Sequence, residues 1–280
     1  MRNLFILTLF LIPSVLNATH LIGGELTYTC IGGNQYEIKV VIYRDCGPTN
    51  TNGAVLDESG VVTIYNMNNN VYTMLVHGPA VAEYVVDEFT SECMTIPPEL
   101  CVEKGTYTIV VTLPDNANGY QIVYQRCCRN VTLGNIVEPL GTGTTYYVEI
   151  SEDALNTCNS SPVFNQWADI YICANNSLDF DHSATDADGD SLVYRLCIPN
   201  SGATFTDPLP QPPNPPPYEE VMYQSPYSVT DMMGGIPLKI NPTTGQLTAV
   251  PGLIGQFLIG ICVDEYRNGQ LISTVKRYFE

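Results

Sequence analysis

The sequence predicts an all-β protein built as two tandem β-sandwich domains and stapled by disulfides. Three observations carry that expectation. Short segments alternate apolar and polar residues with a period of two, and no long segment repeats every 3.6 residues. Val, Ile, Thr and the 18 tyrosines fill these segments, while 20 prolines and 22 glycines are scattered between them as turn markers. Ten cysteines follow an export signal, which places them where disulfides persist.

In chain order, Met1–Ala18 has a basic start at Arg2, an apolar run Leu4–Ile12 and a breaker at Pro13. It reads as a signal peptide cut near Ala18/Thr19, because the apolar run is too short to cross a bilayer. No later stretch is apolar enough to span. The first domain, residues 19–160, contains the alternating segments. Gln35–Cys46 sends Tyr36, Ile38, Val40 and Ile42 to one face. Val61–Val76 reads as a hairpin turning at Asn66–Asn70, since Asn tolerates left-handed backbone. Gly105–Pro114 presents Tyr107, Ile109, Val111 and Leu113 on one face, and Tyr120–Cys128 and Thr144–Ile150 continue the pattern. Glu152–Thr157 fits one short helical turn.

A boundary falls at Cys158–Asn165, where Asn159, Ser160, Ser161 and Pro162 interrupt the strands. The second domain, 161–280, restarts with Asp169–Cys173, Leu192–Ile198, Leu238–Ile240, Gln246–Ala249, Gln256–Asp264 and Leu271–Phe279. Pro208–Pro217 is a polyproline-II segment, expected as a stiff crossover inside the second sandwich.

Six cysteines precede the boundary and four lie at or after it, so each domain is expected to close its own set. Cys93–Cys101 is expected as a local loop and Cys197–Cys262 as a strand-to-strand bridge. A zinc or redox site is disfavoured. No CxxC occurs, and adjacent Cys127 and Cys128 would point to opposite faces of a strand.

The net charge of −18 makes nucleic acid and anionic lipid improbable partners, and makes cations the natural small ones. The candidate cation site is Asp186-Ala-Asp-Gly-Asp190. Alternating carboxylates around a glycine let a loop fold oxygens around one point, as Ca²⁺ requires. An EF-hand is rejected because its twelfth position is Cys197, not glutamate. Asp181 just upstream and Asp264, with Glu265, at the end of a later strand are further candidate ligands. Arg126 and Arg129 flank the cysteine pair and are expected to fork onto carboxylates such as Asp45. A copper site at His20 needs a different signal cut, and His77 and His182 have no ligand spacing. No nucleophile elbow, zincin motif or phosphate loop occurs, so no enzyme activity and no catalytic residue is expected. The tyrosines are expected in the core and on sheet faces rather than as a sugar-stacking platform.

Ser183-Ala-Thr-Asp-Ala-Asp-Gly-Asp-Ser-Leu-Val-Tyr194, with Ile240-Asn-Pro-Thr-Thr-Gly-Gln-Leu through Phe257, resembles a dystroglycan-type, cadherin-like immunoglobulin sandwich. The whole chain is similar to the amino-terminal region of very large, gliding-motility-associated or adhesin-like surface proteins of Gram-negative bacteria. The residues that carry this are Ala18–Tyr28, Val41–Pro48, Val123–Asn130, Cys158–Phe164 and Glu265–Gln270. The resemblance implies export by the type IX route, residence at the outer membrane or outside the cell, and further domains of a longer chain. It implies an extracellular protein or glycan as partner. The competing expectation is a secreted carbohydrate-binding module or an accessory domain of a polysaccharide-degrading protein.

Overall fold

The computed structural model describes residues 21–47, 55–66, 68–85, 93, 101–167 and 171–280. The signal segment and His20 lie outside these. The first half supplies β1 (Leu21–Gly32), β2 (Gln35–Asp45), β3 (Gly60–Asn66), β4 (Val71–His77), β5 (Val81–Tyr84), β6 (Val102–Thr112), β7 (Tyr120–Arg126) and β8 (Thr144–Ile150). A one-turn helix α1 (Glu152–Asn156) follows, N-capped by the Ser151 side chain. The second half supplies β9 (Val163–Phe164), β10 (Leu178–Asp181), β11 (Ala184–Thr185), β12 (Ser191–Leu196), β13 (Gly235–Ile240), β14 (Gln246–Pro251), β15 (Ile259–Arg267) and β16 (Gln270–Phe279). The protein is nearly all β, as expected. No helix among the described residues is long and apolar enough to cross a membrane.

The period-two readings become strands because each places an apolar row on a core face. Tyr36, Ile38, Val40 and Ile42 of β2 are all buried. The β3–β4 hairpin turns where Asn66 Oδ1 accepts from the backbone N–H groups of Asn68 and Asn70 at 3.1 and 3.2 Å. Of the Asp169–Cys173 segment, 169–170 lie outside the described residues and 171–173 form no strand.

The sheets do not divide where the sequence does. One antiparallel seven-stranded sheet runs β12-β15-β16-β1-β2-β6-β5 and so takes strands from both halves. The join is β1 against β16, with Gly24 opposite Tyr278 and Glu25 opposite Arg277. The close approach needs glycine: a Cβ at Gly23 would run into the Tyr278 carbonyl of β16 and the Trp167 ring. A four-stranded sheet, β4-β3-β7-β8, packs on the first-half strands, and a three-stranded sheet, β10-β14-β13, on the second-half strands. Most of the buried apolar residues of both halves form one continuous cluster.

Five cysteine pairs lie at disulfide distance. Cys197–Cys262 is as expected. Cys93–Cys101 is not formed. Cys101 pairs with Cys46, because Asp45 and Val102 are already opposite each other in the β2–β6 ladder. Cys93 pairs with Cys173, and Cys30 with Cys158, so two pairs cross the boundary and the halves do not close separate sets. Cys127 and Cys128 pair with each other.

Pro208–Pro217 also departs from expectation. It does not stay within the second half but lies across the outer face of the four-stranded sheet. The Pro208 carbonyl accepts from the Cys127 N–H at 2.9 Å and from Arg126 at 3.0 Å. The Tyr65 hydroxyl donates to the Pro213 carbonyl, and the Asn214 N–H donates to Gln125 at 2.8 Å. Proline carries no N–H, so such a segment cannot pair its carbonyls with itself, and two of them meet donors from β3 and β7.

Candidate cation site

The acidic loop Asp186–Asp190 joins β11 to β12, and its turn requires Gly189 at φ 83°. Asp186 closes the loop on itself. Its Oδ1 accepts from the backbone N–H of Asp188 at 3.1 Å and of Asp190 at 2.7 Å. Its Oδ2 is buried and has no hydrogen-bond partner. Asp190 is gripped by Arg267 at the end of β15, with Nε donating to Oδ1 at 2.8 Å and Nη2 to Oδ2. That guanidinium holds the Asp190 carboxyl below its ordinary range.

The third member is Glu265 on β15, which is 0% exposed. Its Oε1 accepts from the Asn159 amide at 2.9 Å, and its Oε2 has no partner. Carboxylate oxygens of Asp186, Asp190 and Glu265 lie within 4.8 Å of one another. Burial, and then the charges of Asp186 and Asp190, push the Glu265 carboxyl up to about 9. The cluster therefore has two ways to be satisfied at neutral pH: a proton on Glu265, or a cation among the three carboxylates. The donor set is oxygen only, with no imidazole or thiolate, which suits a hard divalent cation such as Ca²⁺.

Of the six candidate ligands, the structure brings Asp186, Asp190 and Glu265 together and turns Asp181, Asp188 and Asp264 away. Asp188 Oδ2 accepts from the Ser160 N–H at 2.7 Å and ties the loop to the segment joining the halves. Asp181 Oδ1 accepts from the Ser183 N–H at 3.0 Å and serves its own turn. Asp264 is held by Arg195 at 2.7 and 3.1 Å and by the Thr274 hydroxyl at 2.8 Å. Its neighbour Glu265 takes the place in the cluster because adjacent residues on a strand face opposite ways. The parity was available in the sequence: Phe257, Ile259, Ile261 and Val263 share a face, and Glu265 continues that row. Nothing local in the sequence pointed to Asn159, which reaches the cluster from a distant segment, whereas Arg267 lies two residues beyond Glu265 on β15.

The other predicted constellations resolve as structure. Arg126 forks onto Asp57, not Asp45, at 2.8 and 2.9 Å, and the Tyr124 hydroxyl joins the same carboxylate at 3.1 Å. Asp45 Oδ1 instead accepts from the Gly47 N–H at 2.8 Å. Arg129 is buried, with its guanidinium donating to the Asn200 carbonyl. His77 and His182 are buried away from the carboxylate cluster, among aromatic rings. Ten tyrosines, among them Tyr28, Tyr107, Tyr124 and Tyr278, are in the core. The chain matches no family model, no curated protein and no solved structure.

Proposed function

We propose that this chain is an exported structural or binding module of an adhesin-like, gliding-motility-associated surface protein. In this reading two immunoglobulin-like sandwich units are fused along the β1–β16 join, and Ca²⁺ at Asp186, Asp190 and Glu265 stiffens the second. The observation that carries the cation is Glu265: fully buried, with one carboxylate oxygen unpartnered and two more carboxylates beside it. A buried charge without a partner is costly, and a cation removes that cost in the folded state alone.

The position of the loop supports a stiffening role. Asp188 and Asn159 connect the cluster to residues 158–161, which Cys158 bonds to β1. A cation there locks a second-half loop to the junction between the halves. Five cysteine pairs fit an oxidising compartment. The buried tyrosines leave fewer rings to stack on sugars and favour the structural reading over the carbohydrate-binding one.

Thermal unfolding of the oxidised chain, with Ca²⁺ or with chelator, tests this. Saturation to a hundredfold over the dissociation constant adds about 2.7 kcal/mol, which is a rise of roughly 5–10 °C for a domain of this size. Glu265→Gln and Asp186→Asn are each expected to abolish the rise. No rise in the native chain sinks the calcium reading.

A further inference from the structure

Lys276 of β16 is half-buried, and among the described residues it makes no ion pair, although the chain has 29 acidic residues. Lys39 and Lys104, by contrast, pair with Glu37 and Glu83. The Lys276 Nζ donates instead to Oδ1 of Asn200 at 2.9 Å, and the Tyr147 ring covers it at 4.6 Å. Asn200 is 4% exposed, and both polar atoms of its side chain are engaged. The buried Tyr278 hydroxyl donates to the same Oδ1 at 2.9 Å, while Nδ2 donates to the Tyr218 and Glu219 carbonyls, both at 3.3 Å. Two donors at one end and two acceptors at the other fix which end of the amide is oxygen. The backbone is held as well. Cys197, just upstream of Asn200, bonds Cys262, and Cys262 faces Lys276 in the β15–β16 ladder.

We propose that Lys276 and Asn200 become joined by an intramolecular amide, an isopeptide bond that the folded chain forms on its own. The neutral amine of Lys276 attacks Cγ of Asn200. The electron pair of the C=O double bond moves to Oδ1, where the Tyr278 hydroxyl meets the growing negative charge. As the intermediate collapses, the Cγ–Nδ2 bond breaks, a proton from Nζ passes to Nδ2, and ammonia leaves. No oxidant, reductant or cofactor is consumed. Burial, and then the charge of Arg195, hold the Lys276 ammonium below its ordinary range, which raises the share of free amine. Fixed strands keep the two groups together for the life of the fold, so one slow reaction is enough. Burial keeps water from the Asn200 amide, so the amine takes it in place of hydrolysis. The product replaces a half-buried charge with a neutral group. It ties β16 to the segment after β12 with a bond that reductants do not open. The bond is independent of the cation site.

Mass spectrometry of the oxidised, folded chain tests it. The intact mass is expected to lie one ammonia below that of the sequence with its five disulfides. Full reduction and digestion then remove the Cys197–Cys262 link between the same two segments. After that step the peptides carrying Asn200 and Lys276 are expected as one joined species. Lys276→Arg keeps the charge and is expected to restore the full mass. Tyr278→Phe removes a donor from Oδ1 and is expected to slow the joining about a hundredfold, so that unjoined chain persists. The full mass in the native chain after prolonged incubation overturns the proposal, whether or not the variants fold. A loss of ammonia without a joined peptide pair overturns it too, and assigns the loss to ring closure at Asn200–Ser201.

Discussion

Glu25 and Glu265 are both buried carboxylates on strands of the same sheet, and they meet opposite surroundings. Glu25 is answered in full by Arg277, its cross-strand partner, at 2.7 and 2.8 Å. Arg277 also lies 4.2 Å over the Phe164 ring and 5.1 Å over Trp167, so the pair closes the join between the halves. Glu265 has one amide, one oxygen without a partner, and two more carboxylates for neighbours. The contrast separates a structural buried charge, whose partner is built in, from one whose partner must come from outside.

The largest effect tests the first half of that contrast. Arg277→Met leaves Glu25 buried and unpaired, and is expected to cost about 3–5 kcal/mol in chemical denaturation, with no recovery on adding Ca²⁺. Full stability in that variant would break the distinction.

Glu265→Gln should behave in the opposite way. In chelator at neutral pH it is expected to unfold no earlier than the native chain, because it removes a carboxyl that burial disfavours, yet it loses the Ca²⁺ response. The native chain should also show a matching pH dependence. Its Glu265 titrates at about 9 folded against an ordinary value of 4.5. Between these the folded chain holds a proton that the unfolded chain has lost, so this contribution is full below 4.5 and fades as pH rises through 9. Melting temperatures in chelator are therefore expected to fall across that window in the native chain more than in Glu265→Gln. Parallel curves for the two proteins would show that Glu265 is not the group responsible.

Two smaller effects sharpen the boundary of the site. Asp188→Ala removes the acceptor for the Ser160 N–H and is expected to cost about 1 kcal/mol while the Ca²⁺ response persists. Asp264→Asn breaks a pair whose arginine is half exposed and is expected to cost at most about 1 kcal/mol, again with the response intact. Loss of the response in Asp264→Asn would return the site to the strand face opposite Glu265.

Much of the strand inventory was legible because a half-buried strand writes its burial as alternation. β2, β6 and β8 were read from that pattern, and β7 from the Gln121 and Gln125 that alternate with its apolar row, although the whole strand is buried. β1 was not, because Leu21–Tyr28 is buried on both faces and so shows no alternation, and because its paired glycines look like a breaker. That one omission concealed the architecture, since β1 is the strand that pairs the halves. The acidic loop was legible as a cluster of like charges. Its membership was only half legible, because choosing between Asp264 and Glu265 requires the face of β15, and choosing among the loop aspartates requires the positions of Ser160 and Arg267.

The sequence by itself determined the strands that have one wet face, the loop that concentrates carboxylates, and the five pairs' worth of cysteines. These are local properties, set by period, composition and turn chemistry within a few residues. Only the tertiary structure decided that β1 joins β16, that Cys30 and Cys93 reach across the boundary, that the proline-rich segment covers the first half, and that Glu265 completes the cluster. Each of these is a contact across 80 residues or more, or arises from one. Such contacts depend on which faces meet once every strand has found its neighbours, and no short stretch of sequence encodes that alone.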